Sequence, residues 1–117
     1  MSIQKYGVAL MLGCSTLLAV NKTKAQVVTE VKTVKEANVK VFITEYPMEA
    51  DVVVFKTPFI KNAYGNKGIW HFSAVNGEAN KRICFVSSKE VANIVICYTT
   101  DSKQAGWKNK RKKHFMD

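Results

Sequence analysis

A unit of thirteen residues recurs along the chain: a polar turn, then Glu or Gln, Ala, then Asn, Asp or Gly, then a run of alternating apolar residues. It is written as Glu36-Ala37-Asn38-Val39, Glu49-Ala50-Asp51-Val52, Glu78-Ala79-Asn80-Lys81, Ala92-Asn93-Ile94 and Gln104-Ala105-Gly106-Trp107. Ala37 to Ala50, Ala79 to Ala92 and Ala92 to Ala105 are each thirteen residues apart. Such a repeat constrains architecture far more than it constrains a reaction.

Each unit predicts a one-turn helix followed by a strand. Thr33 to Glu36 and Ser87 to Glu90 have capping-box spacing, and Asp101 to Gln104 follows the same plan with an Asp cap. The Ala packs a short turn, and Asn38, Asp51, Asn80, Asn93 and Gly106 are expected to end it in the left-handed conformation. Then Val39, Val41 and Ile43, or Ile94, Ile96 and Tyr98, recur at period two with β-branched and aromatic character, which is strand spacing. Residues 59–75 form one diverged unit with Ile69-Trp70-His71-Phe72 as its strand. The expected class is mainly β with one-turn helices, a small α+β domain. About six strand residues leave about seven for the return, fewer than the dozen a parallel crossover usually needs. Successive strands are therefore either antiparallel neighbours or parts of a chain winding about a common axis.

The N-terminus reads as an export leader: Lys5, an apolar stretch from Gly7 to Val20, then a polar segment ending at Ala25. The stretch is too short for a spanning helix of about twenty residues. The expectation is a leader over residues 1–25 cleaved after Ala25, a flexible segment over 26–33, a repeat domain over 34–108 and a basic tail over 109–117. A lipid on Cys14, after Met11-Leu12-Gly13, is the alternative. The mature chain is expected to be exported, periplasmic or extracellular, monomeric and without a membrane span. It is one small domain.

The chain carries a net charge of +9. Residues 103–117 hold six basic side chains and one acidic, so the basic character of the mature chain belongs to its end. Cys84 and Cys97 occupy the same place in consecutive units. They are expected as small buried apolar side chains, with a disulfide the alternative if their strands lie side by side.

The serial Glu-Ala-Asn/Asp units and the ending Ala105-Gly106-Trp107-Lys108-Asn109-Lys110 resemble a small bacterial family known for a seven-crossing torus knot, the septoil knot. The resemblance spans residues 34–116 and departs most around Gly65. It implies the wound alternative, with repeat strands forming a deeply knotted single domain, an exception to the rule that folds are unknotted. It supplies no catalytic residues.

No catalytic set, cofactor motif or metal-ligand spacing stands out. His71 is expected as a strand residue and His114 as part of the tail. Glu36, Glu49, Glu78 and Glu90 are explained by capping rather than by calcium, and Trp70 and Trp107, with Phe42, Phe55 and Phe85, by the core rather than by a stacking platform. Lys108, Lys110, Arg111, Lys112 and Lys113 are the candidate site, suited to anionic envelope polymer or lipid headgroups. Export argues against nucleic acid. The expected function is a non-enzymatic exported knotted module with a structural or stability role. The alternative is a binding module that uses the basic end.

Overall fold

The computed structural model describes residues 24–117, so the expected leader over residues 1–25 lies outside the described residues except for Lys24 and Ala25. Seven strands follow the repeat: β1 (Val27–Glu30), β2 (Val39–Ile43), β3 (Val52–Lys56), β4 (Ile69–Phe72), β5 (Lys81–Phe85), β6 (Ile94–Thr99) and β7 (Gly106–Trp107). Between them lie single 3-10 turns such as Pro47–Glu49 and Lys89–Val91. The lateral order is β4-β1-β5-β2-β6-β3, and β3 pairs back to β4, so six strands close into a barrel in which every pairing is parallel. Closure leaves no open edge along this ring.

Winding is therefore how thirteen residues manage a parallel connection. The first circuit lays down β1, β2, β3 and β4, and the second drops β5 between β1 and β2 and β6 between β2 and β3. Each crossover passes over the strand it skips: the Val34–Glu36 turn lies on β5, the Pro47–Glu49 turn on β6, the Lys89–Val91 turn on β2 and the Ser102–Gln104 turn on β3. Outward positions beneath a crossover are buried for that reason, among them Val53, Cys84, Val95 and Cys97. β7 runs antiparallel beside the start of β3, while β4 takes the same side of β3 at its end.

Period two decides what fills the barrel. Val28, Val39, Val41, Val52, Val54, Trp70, Ile83, Ile94 and Ile96 form one buried cluster, joined by Met116 from the C-terminal segment. The Trp70 indole N–H is the one buried side-chain polar atom without a partner among the described residues.

The repeat's Asn or Asp has a different task from the one its composition suggests. Asn38 donates its backbone N–H to Arg82 O at 2.7 Å and accepts the Arg82 N–H on its side-chain oxygen at 2.8 Å. Asn80 grips Val27 in the same two-point way, Asn93 grips Lys40, and Asp51 grips Val95. Each is the residue before a strand, and its side chain supplies the acceptor that lets pairing with the neighbouring strand begin one residue early. Ala37, Ala50, Ala92 and Ala105 are extended, and positive φ is found at Gly65 and Gly68 and, among the repeat positions, at Gly106 with φ +154°. At the other end of the strands, Thr44, Thr57, Ser73 and Thr99 accept the amide two residues on, turning the chain into the next crossover.

Other expectations are corrected in detail. Residues 26–33 are not a free lead-in, because β1 sits between β4 and β5 with Val27, Val28 and Thr29 buried. Ser88, not Ser87, caps its turn. Its hydroxyl hydrogen-bonds the Glu90 carboxylate and holds that carboxyl below its usual range, with help from the Glu90 backbone. Cys84 and Cys97 are both free thiols on β5 and β6, which have β2 between them. Strands two apart are separated by about 9.5 Å, beyond the reach of a disulfide.

Candidate functional site

Parallel strands all begin at one end, and that end is where the C-terminal segment lies. After β7, the N–H groups of Lys108 and Asn109 both donate to Asp51 O, at 2.8 and 2.9 Å. Asn109 also donates from its side chain to Asp51 Oδ1 at 3.1 Å and caps the 3-10 helix Lys110–Met116 by accepting from the Arg111 N–H. The helix then crosses the barrel mouth. Met116 is inserted into the core at 1% exposure, and Asn66 ties down the far side. The Asn66 side-chain amide donates to Lys113 O and Asp117 Oδ1, both at 2.9 Å, while its oxygen accepts the Trp107 indole N–H at 2.8 Å. The expected tail is thus a folded stopper, and residues 109–117 share the core of the repeat domain.

The five cations of the sequence-derived cluster are fixed on this stopper. Lys112 is half-buried and pairs with Asp51 at 3.6 Å. Lys108, Lys110, Arg111 and Lys113 are exposed. The topology adds three cations distant in sequence. Lys24 and Lys81 line a cleft of about 400 Å³ beside Met116 and Asp117, and Lys67 folds over Gly65 on the same rim. The strand-start end therefore gathers eight cations against Asp51 and Asp117, leaving eight cations and seven carboxylates for the remaining described residues. Lys24, Lys67 and Lys81 carried no joint signal in the sequence, since only parallel closure brings strand starts together.

The other sequence candidates are engaged locally. His71 donates from Nδ1 to Thr57 O at 3.0 Å. The Glu36 and Glu78 carboxylates accept from the Thr33 and Ser73 hydroxyls, both at 3.1 Å, and Glu49 faces Lys89. Among the described residues no three of His, Cys, Asp and Glu converge as metal ligands. Trp70 is fully buried in the core, and Trp107 packs against it. No helix among the described residues is long and apolar enough to cross a membrane.

The strand-end mouth is built differently. The residue six places after the repeat alanine comes last in phase with the core, giving Ile43, Lys56, Phe85 and Tyr98. Glu30 of β1 and Phe72 of β4 complete the ring. Lys56 Nζ stands 4.6 Å from the Tyr98 ring centre and 5.6 Å from that of Phe72. The Tyr98 hydroxyl pKa is pushed up to about 12, first by burial and then by the charge of Glu30 across the mouth.

A family model described as the 7(1) septoil knot domain matches residues 25–108, and the chain belongs to that family. No curated protein and no solved structure matches it.

Proposed function

We propose that this chain is a non-enzymatic, exported module with a knotted barrel as a persistent body, and that it docks on anionic envelope surfaces through its strand-start end. The observation that carries the docking is the collection of cations on a folded stopper, with Lys108, Lys110, Arg111 and Lys113 exposed together. A preformed cationic face loses less conformational entropy on binding than a free tail does. Polymer phosphates and lipid headgroups offer the matching charge. The body's persistence is supported by the two-circuit path, which fits the knot named for the family.

Deleting the segment would remove Met116 from the core and the partners of Asp51, so substitution is the cleaner test. Replacing Lys108, Lys110, Arg111 and Lys113 together with Gln is expected to weaken retention on phosphatidylglycerol vesicles about a thousandfold, at about 1 kcal/mol per cation near an anionic surface. Wild-type retention is expected to fall steeply as the Debye length shrinks with salt. The control replaces Lys32, Lys35, Lys61 and Lys103 with Gln, which removes the same charge from other parts of the chain. Equal losses in the two variants would defeat the docking proposal.

A further inference from the structure

Lys56 is the feature of the strand-end mouth that the fold does not require. Its ammonium is held by two aromatic faces, and among the described residues no carboxylate lies within ion-pair distance of it. Cation–π contact satisfies one side of an ammonium and leaves its other N–H groups to solvent. Around it, Phe72, Phe85 and Tyr98 are only partly buried and Ile43 is 42% exposed. Beside it, a cleft of about 380 Å³ opens between the ends of β3 and β6, lined by Phe55, Lys56, Tyr98, Thr99 and Thr100.

We propose that this mouth is a binding site for a small organic monoanion, a carboxylate carried on an aromatic or hydrocarbon body. The carboxylate completes the hydrogen bonding of Lys56, and the body lies over the ring of Phe72 on the neighbouring strand. Glu30, on the opposite side of Phe72 from Lys56, sets the charge limit: a second negative group on the ligand would approach it, so a dianion is disfavoured. Tyr98 remains a neutral hydroxyl over the physiological range and adds no competing charge. A small carboxylate needs only one ammonium and an apolar rim, which is what this end offers. A polyanion needs the row of cations found at the other end.

The core supplies a reporter, because the Trp70 ring centre lies 6.1 Å from that of Phe72. 4-Phenylbutyrate is expected to bind saturably to the wild-type protein, to change Trp70 emission, and to bind about tenfold more weakly to Lys56→Met, which keeps the hydrocarbon stem. The uncharged 4-phenylbutyramide is expected to bind as weakly to wild type as the acid does to the variant. Lys35→Met, on the crossover turn that lies over β5, is expected to leave the titration unchanged. Absence of saturable binding, equal affinity of acid and amide, or an unchanged affinity in Lys56→Met would each overturn the site without touching the docking proposal.

Discussion

Gly68→Ala is expected to cost about 3 kcal/mol or more of folding stability, combining the left-handed backbone penalty with overpacking. The glycine has φ +83°, and a Cβ built on it would lie 2.6 Å from Val53 O and 2.7 Å from Gly106 N. Both are backbone atoms of the paired strands β3 and β7, so neither can step aside as a side chain would. Gly68 sits where β4 takes over from β7 along the side of β3, and its carbonyl accepts the Phe55 N–H at 2.9 Å. The strain therefore falls on the place that closes the barrel. For a domain whose total stability is about 5–15 kcal/mol, such a loss is a large share. Gly65 provides the comparison, with nearly the same φ of +84° but only the flexible Lys67 side chain nearby, its Cε at 3.2 Å. Gly65→Ala is expected to cost about 1 kcal/mol, the backbone component alone. Urea unfolding midpoints of the two variants check the contrast, and equal shifts would remove the close approach as the reason.

Asp51→Ala is expected to be the most damaging change among the four strand clamps, at about 3 kcal/mol, because it leaves a buried donor without a partner and frees the stopper. Asp51 accepts from Val95 N at 2.7 Å and from the Asn109 side chain at 3.1 Å, and it faces Lys112. It is 9% exposed. Asp51→Asn keeps the acceptor for Val95 and is expected to cost about 1 kcal/mol, since an exposed-side ion pair contributes little and one charge-assisted bond is lost. Asn93→Ala removes a single half-exposed bond and is expected to cost about 1 kcal/mol. Amide exchange at Val95 separates the cases: strong deprotection in Asp51→Ala and near-native protection in Asp51→Asn. Similar exchange in both would mean that the side-chain acceptor is not what holds the start of β6.

The sequence was legible where one repeat position has one physical task. Period-two alternation marks the strands and their buried faces, because a strand has only two sides. The small domain's choice between a meander and a winding path was not legible in local spacing, since both fit thirteen residues; family resemblance chose correctly. Asn38, Asn80, Asn93 and Asp51 misled because Asn and Asp suit both a left-handed turn and a side-chain acceptor, and only the neighbouring strand shows which is used. β1 was missed because Ala25-Gln26-Val27-Val28, a weak copy of the repeat start, adjoins the expected leader boundary. The basic cluster was visible as a charge run, but its rigidity depends on Asp51, Asn66 and the buried Met116, all set by contacts distant in sequence. At the strand-end mouth, Lys56 and Tyr98 had a signal in the sixth position after the repeat alanine, and Glu30 on β1 did not. That signal gains meaning only when all six strands end together.

The central claim is that the wound chain is a true knot, and the position of its ends permits a direct test. Lys24 and Asp117 line the same cleft, so a short linker can join the termini of a chain beginning at Lys24 without disturbing the fold. A ring closed in the native state traps whatever topology the chain has, and denaturant cannot release it. Compared in strong denaturant with a ring of the same sequence closed on chains kept unfolded since synthesis, the native-closed ring is expected to have the smaller hydrodynamic radius, because seven crossings shorten the free contour. Identical radii for the two rings would show that the chain winds without knotting and would contradict the account.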